Sequence, residues 1–302
     1  MKELIIIGAG PAGLTAAIYG VRAGLDLLVV EKFSPGGQVL NTYELENYPG
    51  FAEPIPGWQL MADMEKQAKR LGVEIQSAEV IGLEKKDEFF LVHLGNKQIL
   101  EAKSVIVAAG SANRSLDIPG EKEFLGQGVS YCATCDGAFY KDKEVAVIGG
   151  GNTALEEAYF LTKFASKIYL LHRRDQFRGD KILQDRVLAS PKIKVLYNRI
   201  PKSILGEGKI NKLIAENVQS GEQEELSVEG VFIFVGFNPN TSFIPKEVLT
   251  SKGEIVVNTQ METPLKGLLA AGDLRQDSRR QIVMAASDGA NAAMSAYEYL
   301  LN

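Results

Sequence analysis

The apolar positions of the first thirty residues change period twice. Leu4 to Ile7 form an unbroken apolar run that stops at a glycine. From Pro11 onward alanine, leucine and isoleucine recur at helical spacing, and Leu27 to Val30 form a second run ending at Glu31. A continuous apolar run reads as a strand covered on both faces, so residues 3–32 predict strand, glycine turn, helix and strand, a βαβ unit. In the turn "GAGPAG", Gly8 lets the chain leave the strand sharply, Gly10 lets backbone approach a pyrophosphate at the helix N-terminus, and Gly13 lets helix and strand pack closely. Glu31 stands where a carboxylate can accept both hydroxyls of an adenosine ribose.

The same pattern recurs at 144–174, "EVAVIGGGNTALEEAYFLTKFASKIYLLHRR", and the two copies align without a gap. Gly8 falls on Gly149, Gly10 on Gly151 and Gly13 on Ala154, so one chain is expected to hold two dinucleotide sites. Opposite Glu31 stands His172, and opposite Lys32 stands Arg173, with Arg174 next and Arg178 completing "HRRDQFR". A carboxylate here would repel a 2′-phosphate, whereas arginines supply forked, permanently charged donors that suit it. The second site therefore reads as one for NADP rather than NAD.

Pro, Gly and Asn gather at "NRSLDIPG" (113–120) and "GFNPNTSFIPKE" (236–247), between strand-like segments. These are expected crossings between domains. They make residues 116–247 an insertion into a first domain formed by 1–115 and 248–302. The returning part contains "GLLAAGDLRQ", a short apolar strand ending at Gly272 and Asp273, then a small-residue helix suited to close packing on a ligand.

With 302 residues, 45% of them hydrophobic, there is ample material for two cores. A formal charge of -5 argues against nucleic acid or an anionic membrane as partner, since both call for a basic face. The opening apolar run is too short for a signal peptide and no later run approaches a membrane span, so the expected location is the cytoplasm.

That location bears on the 2 cysteines, Cys132 and Cys135, which lie together in "SYCATCDGAF". In a reducing compartment a close pair is more often catalytic or metal-binding than structural. Zinc needs about four ligands, and no second ligand pair has suitable spacing. The 2 histidines are His93, in a strand-like stretch, and His172, already placed in the nucleotide motif, so no metal site is expected and a thiol–imidazole hydrolase lacks its base. Cysteines serving as small buried hydrophobes would sit oddly among the polar and turn residues of this segment. The favoured reading is a redox couple, with Asp136 as the nearest acid or base. A dithiol does not accept hydride from NADPH efficiently without an intermediary, and a flavin is such an intermediary. The Glu31 site then becomes the FAD site. The expected fold class is α/β, with two Rossmann-like dinucleotide-binding domains and the NADPH domain, carrying the cysteine pair, inserted into the FAD domain.

These residues together resemble the low-molecular-weight thioredoxin reductase family of bacteria and archaea. The likeness runs along essentially the whole chain: "GAGPAGLTAAIY", the "GGQ" and "ENYPGF" loop at 36–51, "CATCDGAF", "GGGNTALEEA", "HRRDQFR", "FVGFNPNT" and "AAGDLRQ" followed by "RQIVMAASDGA". It implies a homodimer, a large rotation of one domain against the other, and thioredoxin as the protein substrate. It also implies roles. Cys135 would be the flavin-proximal sulfur, Cys132 the thiol that attacks thioredoxin, and Asp136 the proton carrier. FAD would be met by Gly8, Gly10, Pro11, Ala12, Gly13, Glu31, Lys32, Gly37, Gln38, Asn47, Ala109, Gly110, Gly272, Asp273, Arg280, Gln281 and Ile282. NADPH would be met by Gly149, Gly151, Asn152, Thr153, His172, Arg173, Arg174 and Arg178. Three positions depart from the family's usual residues: Ala109 stands for a threonine, Asn152-Thr153 for Asp-Ser, and Gly179 for an alanine. The last predicts a looser phosphate loop and a weaker preference for NADPH. Other readings of the same residues are a reductase of another disulfide carrier (glutaredoxin-like or peroxiredoxin-linked), a flavin-dependent dithiol oxidase, and a non-enzymatic nucleotide sensor.

Overall fold

The computed structural model describes residues 1–42 and 45–301. In chain order it runs β1 (Lys2–Ile7), α1 (Pro11–Arg22), β2 (Leu27–Glu31), α2 (Gly57–Arg70), β3 (Ile75–Ser77), β4 (Val80–Lys86), β5 (Phe89–Leu94), β6 (Ile99–Val107) and β7 (Ser111–Asn113). There follow β8 (Val129–Ser130), α3 (Ala133–Asp136), β9 (Glu144–Gly149), α4 (Asn152–Leu161), β10 (Lys167–His172), α5 (Lys181–Ala189), β11 (Ile193–Tyr197), β12 (Arg199–Gly206), β13 (Ile210–Asn217), β14 (Gln223–Ser227) and β15 (Gly230–Phe234). The chain closes with β16 (Phe237–Pro239), β17 (Leu268–Ala270) and α6 (Ile282–Leu301). It divides into two compact units, Met1–Ala112 with Asn238–Asn302, and Asn113–Phe237.

In the first unit β1, β2, β3, β6 and β17 are parallel, and β4 and β5 extend the sheet as an antiparallel pair against β6. The apolar runs explain this arrangement: Leu4, Ile5 and Ile6 are fully buried, as a strand with helices or sheet on both faces requires. β5, by contrast, alternates half-buried and buried positions, with Phe90, Val92 and Leu94 turned inward, the pattern of a strand with one wetter face. One face of the parallel strands is covered by α1 and α6, which meet through small residues, among them Ala16, Ala292, Ala293 and Ala296, all within one core. The other face carries a second core around Phe90, Val92 and Val105. Burying each such large side chain contributes about 1.5–3 kcal/mol, which fixes the register Ile5↔Leu28 and Ile6↔Ile106 against slippage by one residue.

The second unit repeats the plan. Its sheet runs β11-β10-β9-β15-β8, parallel throughout, with a separate antiparallel ribbon β12-β13-β14. Val145, Val147, Ile168 and Leu170 face α4 and α5, while Ala146, Ile148 and Leu171 face the ribbon side. Both units are thus α/β with a parallel Rossmann-like sheet. Among the described residues no helix is long and apolar enough to cross a membrane.

Candidate functional site

In parallel strands all C-terminal ends lie on one edge, and that is where loops can build a ligand site. In the first unit Ile7 is in register with Val30 and Val107, and Val107 with Ala270, so the segments that follow β1, β2, β6 and β17 leave from the same edge. Those segments carry Gly8 to Gly13, Glu31 and Lys32, Ala109 and Gly110, and Gly272 and Asp273. The sequence reading had drawn them from four distant stretches.

The Glu31 carboxylate is fixed at both oxygens, Oε2 accepting the Ala9 N–H at 2.7 Å and Oε1 the Phe33 N–H at 2.9 Å. α1 begins with Pro11 after Gly10, and no side chain caps its N-terminus. A Cβ built on Gly10 would meet nothing within 4 Å, so nothing crowds the chain just before α1, where a diphosphate would approach. Gly13 behaves in the opposite way, because a Cβ there would stand 1.8 Å from the Gly8 carbonyl oxygen. Ala12 is buried beside it. Lys32 is ion-paired with Glu79 at 2.8 Å on the surface. Ala109 and Gly110 are held by Asn240, whose Nδ2 donates to the Ala109 carbonyl at 2.8 Å and whose N–H donates to Gly110 at 3.0 Å.

Gly37 opens the short 3₁₀ turn that carries Gln38. The Gln38 Nε2 donates to the Ser111 carbonyl at 3.2 Å, and the Asn47 Nδ2 donates to Gln281 Oε1 at 3.1 Å. The sequence-assigned loop at 36–51 includes residues 43 and 44, which lie outside the described residues. Ile282 is the first residue of α6, directly after Arg280 and Gln281. Burial pushes the Asp273 carboxyl upward, with Arg280, Ser278 and Arg275 opposing the rise. Behind it lies a buried ion pair that sequence reasoning missed: Asp288 accepts the Gly272 N–H at 3.2 Å and takes both Nε (2.6 Å) and Nη2 (3.0 Å) of Arg275. Its partners lie 13 to 16 residues apart, a spacing that carries no local signal.

In the second unit Gly149 to Gly151 leave β9 in the same manner, and α4 starts at Asn152 and Thr153 without a side-chain cap. Open space again lies over Gly151. Arg173, Arg174 and Arg178 are exposed in the loop after β10. His172 is buried beneath that loop rather than presented with the arginines: its Nε2 is 2.9 Å from the Gln176 carbonyl and its ring packs on Phe177. Burial holds its pKa below the usual value, with Arg178 and Arg174 adding to the fall and hydrogen bonds to the Gln176 and Gly149 backbone opposing it. Gly150 makes room for it, since a Cβ there would meet His172 Nδ1 at 2.2 Å.

The loop itself is pinned. Asn152 accepts the Asp180 N–H at 2.7 Å and donates to the Asp180 carboxylate at 2.8 Å. Arg178 donates its N–H to the Gly150 carbonyl at 2.8 Å, and Gln184 bonds the Gly179 carbonyl at 2.8 Å. At Gly179 Leu155 fills the space a methyl group would need, its Cδ1 lying 2.5 Å from the built Cβ.

Cys132 and Cys135 are joined in a disulfide across the single turn α3. Cys132 is its N-cap, and the Cys135 N–H donates to Cys132 Sγ at 3.1 Å. An N–H aimed at sulfur at the start of a helix favours the thiolate when the bond is opened. The approach to the pair is stapled by Glu121, whose carboxylate is almost fully buried and accepts the Leu116 N–H (2.9 Å), the Ile118 N–H (3.4 Å) and the Tyr131 hydroxyl (2.5 Å). Asp136, half-buried, follows the pair; together with burial its charge raises the Tyr140 hydroxyl's pKa. On the far side Glu157, from α4, accepts the Ala133 N–H at 2.9 Å. Neither Glu121 nor Glu157 carries a sequence signal, because the groups they hold are mainly backbone N–H groups. Among the described residues no three His, Cys, Asp or Glu side chains gather as a metal site would require.

The sequence pattern of the family described as pyridine nucleotide-disulphide oxidoreductase matches residues 2–289. A thioredoxin reductase of Treponema pallidum is 44% identical over 298 residues, 99% of this chain and 97% of that one. One of Bacillus subtilis is 44% identical over 300 residues, 99% and 94% of the two chains. Among solved structures, Lactococcus lactis thioredoxin reductase superposes with a TM-score of 0.97 at 40% identity, covering 100% of this chain and 99% of that one.

Proposed function

The chain belongs to the pyridine nucleotide-disulphide oxidoreductase family, among its low-molecular-weight thioredoxin reductases, and on that premise we propose that it uses NADPH, through bound FAD, to reduce the disulfide of thioredoxin. One observation carries the reading: the two cysteines form a disulfide capped by its own helix, in a unit that also contains a glycine turn and an exposed arginine loop. The flavin would supply the conversion between two-electron hydride chemistry and dithiol chemistry.

Two features of the chain fit these cofactors. Both glycine turns lead into uncapped helix N-termini with nothing crowding Gly10 or Gly151, which suits the diphosphates of FAD and NADPH. Glu31, fixed at a strand end, suits a ribose diol; Arg173, Arg174 and Arg178, at the corresponding end in the second unit, suit a 2′-phosphate. FAD then belongs to the unit of Met1–Ala112 with Asn238–Asn302, so that the crossings lie before the expected 115/116 and 247/248 boundaries, and NADPH belongs to Asn113–Phe237. Asn47, Gln281, Gln38 and Asp273 hold the flavin side. Cys132, with the Cys135 N–H directed at its sulfur, attacks the incoming disulfide; Cys135 resolves the mixed disulfide and Asp136 moves the proton. The working form is a cytoplasmic homodimer.

The test is direct. Purified protein loaded with FAD should oxidise NADPH in step with thioredoxin reduction, with glutaredoxin-like and peroxiredoxin-linked carriers assayed in parallel. Turnover with one of those carriers and none with thioredoxin would assign the enzyme to that carrier. NADPH oxidation that needs oxygen and no carrier would assign an oxidase.

A further inference from the structure

α3 is one turn long, and its N–H groups are shared between two acceptors of different kinds. Ala133 donates to the Glu157 carboxylate at 2.9 Å, and Cys135 donates to Cys132 Sγ at 3.1 Å. In the disulfide state the sulfur is neutral, and the carboxylate has the positive end of the turn to itself. Reduction changes that balance, because a thiolate at Cys132 would place a second negative charge on the same turn. Two negative charges that accept from the same short turn cannot both persist without cost, and the more easily protonated one gives way.

We propose that Glu157 is a proton-coupled positioning residue for the redox pair: as a carboxylate it holds the first turn of α3 in the disulfide state, and it takes up a proton when the disulfide is reduced. This rests on reading the pair as the redox relay. The step balances. The Cys132–Cys135 bond breaks with two electrons and two protons; Cys132 becomes a thiolate, Cys135 a thiol, and the carboxylate a carboxylic acid. The electrons come from NADPH in turnover and from dithiothreitol in the test. The local charge is one negative before and one negative after, so no net charge is added to a half-buried site.

The surroundings favour this exchange. Burial pushes the Glu157 carboxyl up to about 7, the like-signed Glu156 on its own helix adds to the rise, and the Ala133 and Thr134 N–H groups of the facing turn oppose it. At the other end of that turn, Asp136 acts on Tyr140. The Thr134 hydroxyl, between the two cysteines, is buried without a hydrogen-bond partner among the described residues, a donor left over in the disulfide state.

The FAD-loaded enzyme and its Glu157→Gln variant would be equilibrated in dithiothreitol buffers from pH 6 to 8.5, and the Cys132–Cys135 pair read by thiol alkylation and mass. No NADPH or carrier enters, so the outcome is separate from the assignment of the physiological reaction. Dithiothreitol's own titration cancels in the ratio of the two equilibrium constants. That ratio should be flat below about pH 7 and change up to about tenfold per pH unit above it, equivalent to about 30 mV per unit. A flat ratio across the range would overturn the proposal. If the variant does not fold, infrared difference spectra of the wild type at pH 8 decide. A protonated carboxyl C=O band should appear on reduction, and its absence would overturn the proposal.

Discussion

A Cβ on Gly13 would stand 1.8 Å from the Gly8 carbonyl oxygen, whereas at the corresponding place in the second unit Ala154 carries a methyl group that occupies the space beside Gly149. The two turns share a sequence pattern and solve the same packing problem from opposite sides. In the first unit the helix residue yields; in the second the turn residue does, with φ of 156° at Gly149 against 106° at Gly8. Gly13→Ala should therefore lower stability by about 1–3 kcal/mol or more and reduce flavin content, because the clash is with backbone that cannot rotate away. Ala154→Gly should cost only about 1 kcal/mol. Thermal unfolding and the flavin-to-protein absorbance ratio of the two variants check this.

The arginine loop supports a cofactor prediction. Charge-assisted hydrogen bonds contribute about 1.5–3 kcal/mol each, so Arg173→Ala with Arg174→Ala should reduce NADPH selectivity over NADH by roughly two to four orders of magnitude. NADH kinetics should change little, since the loop is held by Asn152, Asp180, Gly150 and Gln184 rather than by these two side chains. An unchanged NADPH KM would remove the loop from phosphate recognition.

The folded chain should weaken in acid for a reason that His172 makes specific. Its ring is buried and its pKa is held below the ordinary 6.5, so the unfolded chain binds the extra proton. Its contribution is complete above about pH 6.5 and is lost as the pH falls below that value. Glu157 has the opposite sign: its pKa is raised from 4.5 to about 7, so stability falls as the pH rises from about 4.5 to 7. Glu157→Gln should relieve that loss by on the order of 2 kcal/mol at pH 8. Denaturant titrations of Glu157→Gln and of His172→Gln beside the wild type, across pH 5 to 8, would show both slopes.

Removing one partner of the Arg275–Asp288 pair leaves a desolvated charge behind, with side-chain exposures of 13% and 5%. Asp288→Ala should cost about 3–5 kcal/mol and release the Gly272 N–H, so that flavin content falls together with stability. Stability loss with flavin retained at full occupancy would show that the pair supports the fold alone.

What could be read from the sequence follows from how far each signal travels along the chain. Both βαβ units were legible because Gly8, Gly10, Gly13 and Glu31 lie within one strand–helix–strand stretch, and Gly149 to Arg178 repeat it. The disulfide was legible because Cys132 and Cys135 are three residues apart. Tertiary hydrogen bonds were not: Asn240 reaches Ala109 across 131 positions, and Glu157 reaches Ala133 across 24. His172 aligns with Glu31 and so groups with the arginines by sequence, yet it closes a strand that is buried throughout from Ile168 and lies inside, beside Gly150. The surroundings of Gly179 were not legible either, since the packing of Leu155 and the bonds between Asn152 and Asp180 join residues up to 28 positions apart.

The central claim is that Cys132 and Cys135 form an asymmetric relay in which Cys132 engages the protein substrate. Its most direct test uses thioredoxin whose resolving cysteine is replaced by serine and whose remaining cysteine is activated as a mixed disulfide with thionitrobenzoate. Cys135→Ser, with Cys132 free, should attack it, release thionitrobenzoate and form a stable one-to-one adduct whose mass and peptide map place the bond at Cys132. Cys132→Ser should form the adduct far more slowly, and neither variant should reduce intact thioredoxin with NADPH. Adduct formation through Cys135 alone would exchange the two roles, and wild-type rates of NADPH-dependent thioredoxin reduction in both variants would contradict the relay itself.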